Sequence, residues 1–329
     1  MRNIILLSVF CLALLGIVLF LGKYKNRSYK KTLGLHIFSD IPLEKISEID
    51  IISPEGINVT LIRKDGDWIV KEHFGYFADF SQIYELIEKL RGVTVGQVFK
   101  AKEDTLKRLS LLDPEENGKE EEKGRCLILK DKEGGLIKKI IFGKAMRTEK
   151  DGFPKGQFIR IGDTVYLIDQ YFTSLIQGPG EWIKLDLLDI KEDEIGKIKG
   201  YKKGKVKYVL VREKGNFKLI KGKLKKDVIE KLKEGLDYLR IDDVVDPSKS
   251  MKEVGIEEDS YVEYRLLNGM IIRIFPSKSC KEDECYMKVS VLYEGKEKKI
   301  MKEAELMNRK LSPWVYKISK WRHDSFFLP

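Results

Sequence analysis

An internal duplication constrains this chain more than any other feature. Ile46 and Ile195 open similar patterns 149 residues apart. At that single offset Ile49 falls on Ile198, Ile57 on Val206, Val59 on Tyr208 and Leu61 on Leu210. Arg63 falls on Arg212, Gly66 on Gly215 and Trp68 on Phe217. Ile83, Ile87 and Leu90 then meet Leu232, Leu236 and Leu239, still without a gap. Further along, Leu106-Lys107-Arg108-Leu109 matches Met251-Lys252-Glu253-Val254 at an offset of 145. Each copy closes near a tryptophan, in Gly180-Glu181-Trp182-Ile183 and Ser312-Pro313-Trp314-Val315, at an offset of 132. A chain that repeats in this way has to solve one packing problem twice.

Within a copy, turn chemistry separates short runs of alternating polarity. Residues 46–52, 57–63 and 67–71 read as three strands. Ser53-Pro54-Glu55-Gly56 suits a type I turn, with Pro second and Gly fourth. Asp65-Gly66 is a hairpin signal, since both turn residues must tolerate positive φ, and Lys214-Gly215-Asn216 takes its place in the second copy. Asp79 with Gln82 resembles a capping box ahead of the stripe Ile83, Leu86, Ile87 and Leu90. Ile229, Leu232, Leu236 and Leu239 form the corresponding stripe. Further hairpins are expected around Gly134-Gly135, Gly162-Asp163 and Asn268-Gly269, and short helices near Tyr171–Gln177 and Ala304–Arg309. The charged stretch from Asp113 to Gly124 reads as a solvated loop.

The expected fold class is therefore α+β. An N-terminal transmembrane helix precedes two tandem repeats, each an antiparallel β-meander packed with helices plus further β-hairpins. The expected divisions are a membrane anchor with its basic flank at 1–31, a first repeat at 32–190 and a second at 191–329.

The anchor rests on Ile4–Gly22, a 19-residue run in which Ser8 is the one plainly polar side chain. As a helix it would span about 28 Å, close to a bilayer's hydrocarbon core. No small-x-small cleavage site follows it, so it reads as uncleaved. Net charge sharpens the boundary. The chain holds 62 basic and 52 acidic residues, a balance of +10. Residues 1–31 carry Arg2, Lys23, Lys25, Arg27, Lys30 and Lys31 and no acid, so most of that excess is a collar beside the apolar run. A basic collar suits anionic lipid headgroups, whereas the balanced remainder lacks the concentrated Lys and Arg that nucleic acid requires. The positive-inside rule, taken alone, puts the large domain in the cytoplasm. Long C-terminal domains, however, translocate whatever their flanking charge.

No catalytic motif stands out, and no enzyme activity, cofactor or metal is expected. His36, His73 and His323 have no Cys or second His at a ligand spacing. Neither a nucleophile elbow, a phosphate-binding loop nor a dinucleotide fingerprint occurs. Cys11 falls in the apolar run, and Cys126 is expected to start a buried strand. Cys280 and Cys285, four residues apart, can close a hairpin loop as a disulfide in an oxidising compartment, or stay as free thiols. A metal there would need the intervening acids or outside ligands, and no second Cys/His pair supplies them. Trp68, Trp182, Trp314 and Trp321 could line a sugar- or lipid-binding groove, although the repeat-equivalent or strand positions of three of them favour core packing.

The chain resembles a family of bacterial membrane-anchored proteins known as domain of unknown function 4340. The resembling elements are the N-terminal anchor, Ile46–Ile52 followed by Val59–Arg63, and Asp65-Gly66-Asp67-Trp68. Phe77-Ala78-Asp79, Leu106–Asp113, Val165-Tyr166-Leu167-Ile168-Asp169 and Pro179-Gly180-Glu181-Trp182 continue the likeness. The resemblance implies an extracytoplasmic domain that works beside ABC transporter components of the gliding-motility type, and it carries no catalytic residues. The expected function is a single-pass accessory or structural subunit touching membrane lipid and transporter subunits or other envelope proteins. The alternatives are an envelope glycan- or lipid-binding module and a membrane-tethered cytoplasmic domain.

Overall fold

A computed structural model describes residues 34–147, 154–280, 282 and 284–329. It divides into two compact units, one ending at Trp182 and the other running Ile183–Pro329.

In the first unit β1 (Glu48–Ile52), β2 (Val59–Lys64) and β3 (Asp67–Val70) form the meander, and β4 (Tyr76–Phe77) extends its edge. Next come α1 (Phe80–Arg91), β5 (Val95–Lys100) and α2 (Glu103–Arg108). β6 (Arg125–Lys130), β7 (Leu136–Arg147), β8 (Pro154–Ile161) and β9 (Thr164–Ile168) complete one antiparallel sheet, ordered β4-β3-β2-β1-β6-β7-β8-β9-β5.

The second unit opens with β10 (Asp186–Leu188), followed by a meander of β11 (Ile195–Lys202), β12 (Lys205–Glu213) and β13 (Asn216–Lys221). α3 (Lys226–Lys233), β14 (Leu239–Arg240) and β15 (Asp243–Val244) lead to β16 (Tyr261–Leu266), β17 (Met270–Pro276) and β18 (Cys285–Tyr293). α4 (Lys298–Leu311), β19 (Val315–Ile318) and α5 (Lys320–His323) finish the unit. Its sheet runs β13-β12-β11-β16-β17-β18-β19-β15, while β10 pairs separately with β14. Adding ten to each strand number turns the first order into the second, β4 apart. The duplication seen in the sequence is thus a duplication of topology.

Local chemistry explains the shared parts. Asp65 and Gly66 both take positive φ (51° and 90°), and so do Lys214 and Gly215 (50° and 86°). The two copies therefore make the same left-handed turn, which matches the right-handed twist of the flanking strands. Burial then alternates along β1, where Ile49 and Ile51 point into the core beneath Ile83, Leu86, Ile87 and Leu90 of α1. Leu232, Leu236 and Leu239 are as fully buried in the second unit. Only Leu232 is helical, however, because α3 stops at Lys233. The second stripe keeps its burial pattern but not its expected helix.

Repeat-equivalent arginines hold the start of each sheet. Arg212 donates from Nε to Ile195 O at 2.8 Å, from Nη1 to Gly215 O at 2.6 Å, and from Nη2 to Glu192 O. Arg63 makes the corresponding reach to Glu44 O, but at 3.5 Å and from an exposed position. Asp79 caps α1 through Ser81 N at 2.9 Å. The expected capping box does not close, because Gln82 donates to Glu181 O at 3.0 Å and Asp79 N donates to Trp182 O at 2.8 Å.

Four further expectations are corrected. The α+β class gives way to a mostly β fold, 41% strand against 22% helix. The physical reason is that β1 pairs with β6 and β11 with β16, which merges meander and later hairpins into one sheet per unit. An N-terminal transmembrane helix is not seen: Ile4–Gly22 lies outside the described residues, and among those described no helix is long and apolar enough to cross a membrane. The Tyr171–Gln177 helix shrinks to a single 3-10 turn at Thr173–Ile176. The Asp113–Gly124 loop is tied down rather than merely solvated. Buried Asp113 pairs with Lys139 at 2.6 Å, and Arg160 reaches Glu116 at 3.1 Å.

Arg212→Ala is expected to destabilise the second unit by about 2–3 kcal/mol, since it strips a charged donor from three carbonyls, that of buried Ile195 among them. Arg63→Ala should cost the first unit less than about 1 kcal/mol, as exposed ionic contacts usually do. Urea unfolding followed separately for each unit checks this. Equal losses would mean that the two clamps do not differ.

Candidate functional site

The duplication places a cavity at the same topological position in each unit. The first encloses about 710 Å³ and the second about 610 Å³. Equivalent segments wall them: the turn after the first strand, the approach to the sixth, the end of the seventh and the chain after the ninth. Loops gathered at one end of a rigid sheet are where binding groups accumulate.

Among the described residues, the first cavity is lined mostly by charges committed to protein partners, with Arg147 the exception among its cations. Arg125 Nη2 lies 2.6 Å from Glu55 Oε1, and the Ser53 hydroxyl donates to the same carboxylate. Burial alone would raise the Glu55 pKa, but hydrogen bonds from Ser53 and the backbone, with the Arg125 charge, hold it below the usual carboxylate range. Lys144 and Lys123 donate to the carbonyls of Arg108 and Pro114, each at 2.8 Å. Buried Gln157 ties the floor together. Its Nε2 donates to Gly143 O at 3.0 Å, and its Oε1 accepts from Phe172 N at 3.2 Å.

The second cavity has a different character. Val228, Pro276, Phe326 and Phe327 give it an apolar floor. Four lysines stand around it. Lys278 pairs with Glu257 at 2.7 Å and Lys202 donates to Pro329 O at 2.7 Å. Among the described residues neither Lys203 nor Lys231 has an ion pair, and Lys203 feels Glu257 only at Coulombic range. Arg322 anchors the segment that carries Phe326 and His323. Buried beside Asp237 and Tyr238, it donates to their carbonyls at 3.3 and 2.9 Å. Burial lowers its pKa from the ordinary value.

Register shows what replaced Gln157. Gln157 pairs with Ile168 at the end of β9, and Cys285 pairs with Ile318 at the end of β19. Cys285 thus occupies the Gln157 position, and it is bonded to Cys280. The next element of the tie is also exchanged. Phe142 pairs with Ile159 and Pro276 with Met287, so Gly143 and Ser277, which follow them, are equivalent. The Gly143 carbonyl meets Gln157, whereas the Ser277 carbonyl meets His323 Nε2 at 2.7 Å. A ligand-capable ring nitrogen of His323 and the two sulfurs all lie within 4.8 Å of one another.

Of the residues singled out in the sequence, Cys280 and Cys285 are brought together. Trp68 and Trp182 are buried in the core of the first unit and line neither cavity. Trp314 is half-buried in the second unit, away from its cavity lining. Ile4 and Gly22 lie outside the described residues. Sequence reasoning missed Gln157, Lys203, Lys231 and His323. The one available signal was that Lys203 sits beside a strand end of the repeat. Nothing in the spacing joins His323 to two cysteines some forty residues earlier.

A family model described as Domain of unknown function (DUF4340) matches residues 68–258, from the third strand of the first unit to the approach to β16 of the second. It bears out the family read from the sequence, and it carries no information on a membrane anchor or a transporter. No curated protein and no solved structure matches the chain.

Cys126 sits in β6 with no exposure, and burial, aided by the nearby Asp113 charge, pushes its thiol pKa up to about 12. Thiolate is the reactive form. Iodoacetamide at mildly alkaline pH should therefore leave Cys126 intact in the folded chain and modify it once urea unfolds the first unit. Peptide mass mapping reads the outcome, and rapid native labelling would contradict the assigned burial.

Proposed function

This chain belongs to the domain of unknown function 4340 family, and from that premise we propose that it is a membrane-attached, non-catalytic binding protein of the cell envelope whose second unit takes an anionic amphiphile. The observation that carries this reading is the second cavity, where Lys203 and Lys231 stand without ion pairs above Val228, Pro276, Phe326 and Phe327. An acyl chain would remove apolar floor from water, at about 25 cal/mol per Å² buried. Its anionic head would meet cations that no carboxylate of the described residues neutralises by contact. In the first cavity Arg125 is paired with Glu55, and Lys123 and Lys144 are bonded to backbone carbonyls, so of its lining cations Arg147 alone has neither kind of partner among the described residues. Attachment rests on the apolar run Ile4–Gly22 and its basic collar. The Cys280–Cys285 bond supports a location outside the cytoplasm, where disulfides persist.

Octyl phosphate titrated calorimetrically into the full chain in lipid nanodiscs tests this. Saturable binding is expected, and Lys203→Glu with Lys231→Glu should weaken it by about tenfold, or about 1.4 kcal/mol. Equal binding by the double variant, or by neutral octyl glucoside, would overturn the reading.

A second reading is that the protein serves as an accessory subunit of an ABC transporter complex, as the family resemblance implies. It is favoured by the same apolar run and collar, which would keep both units at the bilayer surface where such subunits lie. Transporter subunits should then co-purify from gently solubilised membranes. Recovery of the chain alone would count against it.

A further inference from the structure

We propose that reduction of the Cys280–Cys285 bond turns the second unit into a zinc site, with Cys280, Cys285 and His323 as its protein ligands. The inference does not rest on amphiphile binding, and either reading can fail without the other. Its first support is convergence. The two sulfurs and a ring nitrogen of His323 lie within 4.8 Å of one another. Tetrahedral zinc with Zn–S near 2.3 Å and Zn–N near 2.0 Å needs ligand atoms about 3.5–3.8 Å apart. That separation fits inside the observed cluster once the sulfurs part. Cys285 is fixed in β18 by its pairing with Ile318, so the movement falls to half-buried Cys280 on the adjoining loop.

The second support is the orientation of the imidazole. His323 Nε2 lies 2.7 Å from Ser277 O. A carbonyl oxygen only accepts, so Nε2 is the nitrogen that donates to it and Nδ1 is the one open to a metal. A backbone carbonyl holding the opposite nitrogen is the usual means of orienting a metal-bound histidine. His323 also lines the second cavity, which leaves a fourth coordination position for water.

The third support is the comparison inside the chain. The first unit solves the same structural problem with Gln157, which bridges Gly143 O and Phe172 N and offers no soft ligand. A tie between these segments therefore requires neither thiol nor imidazole. The second unit has gathered three residues whose common property is affinity for a metal of zinc's type.

The chemistry balances with a dithiol reductant. It delivers two electrons and two protons to the sulfur–sulfur bond and leaves as its own disulfide. The two resulting thiols release both protons as zinc binds them as thiolates. A disulfide oxidant removes two electrons from those thiolates, re-forms the Cys280–Cys285 bond and releases zinc unchanged in charge.

Cobalt(II) is a suitable probe, because thiolate ligation produces charge-transfer absorption and tetrahedral ligand-field bands. The full chain carrying Cys11→Ser, in detergent micelles, is reduced with a phosphine and titrated with cobalt(II), then with zinc(II) as competitor. One metal per reduced chain is expected, with thiolate absorption, and none on the disulfide form. Cys280→Ser should abolish the thiolate bands. His323→Gln keeps a donor for Ser277 O but lacks the lone pair, and should weaken cobalt binding by about tenfold or more. A reduced chain that takes up no cobalt, folded or unfolded by circular dichroism, overturns the proposal. Unchanged affinity in His323→Gln, or equal binding by the disulfide form, does so too.

Discussion

Everything in each unit depends on one seam, the pairing of the first strand with the sixth. Hairpins join sequence neighbours, but Ile51 meets Leu127 across more than seventy residues, and Ile198 meets Tyr264 across more than sixty. Closing such loops costs entropy that grows only slowly with length, so the sheet has to recover little more for a long loop than for a short one. Without the seam, β1 and β6 would each show the solvent an edge lined with buried-type residues and unpaired backbone groups. With it, both become interior strands. Charge guards the seam in both units, with the polarity exchanged. In the first unit Lys130 on β6 holds Glu48 and Asp50 of β1, each at 2.6 Å. In the second the acid is Glu263 on β16, 1% exposed, with Lys199 of β11 at 3.7 Å, Arg265 at 2.8 Å and Arg273 at 3.0 Å. Burial pushes the Glu263 pKa up, and the guanidinium groups of Arg265 and Arg273 more than reverse that. Folding therefore favours its ionised form, a contribution present above the ordinary carboxylate range and lost as the pH falls through the lowered value.

The seam is also where legibility in the sequence ends. Asp65-Gly66 announces its hairpin because a left-handed pair is a local requirement, and the copies agree there at one offset. The alternation of Ile49 and Ile51 and the stripe of α1 are likewise local. Which strand then lies beside β1 is not encoded in any short window, so separate meanders and hairpins were the natural expectation and one continuous sheet the outcome. The helical stripe of the second copy misled for a related reason. Leu236 and Leu239 must be buried, as Ile87 and Leu90 are, but burial fixes where a side chain goes and not the backbone that carries it. The candidate site was hidden by drift in the offset. It is 149 residues at the first strands, 128 between Gln157 and Cys285, and 150 between Ile168 and Ile318, with α4 inserted in between. A fixed-offset comparison cannot match residues across such changes, although hydrogen-bond register can.

That drift has a physical cause, and it bears on where function can reside in a duplicated sheet. Residues on the seam are constrained twice, by their own strand and by a partner strand far away in sequence. Substitution there must preserve both, which is why even the charge exchange across the seam retains a pair. Residues at the cavity end are held by single hydrogen bonds to carbonyls such as Gly143 O and Ser277 O. A carbonyl accepts from an amide or from an imidazole with similar geometry, so the donor can change class without disturbing the sheet. The first unit holds that end with one amide, and its cations, Arg147 apart, are spent on Glu55 and on backbone carbonyls. The second holds it with a disulfide and an imidazole, and two of its lysines are left facing the cavity without a contacting acid. Identical topology with unequal chemistry at one end makes the first unit the built-in reference for the second. Whatever the second cavity binds should be sought in the groups that differ between them, because the shared groups are already accounted for by the fold.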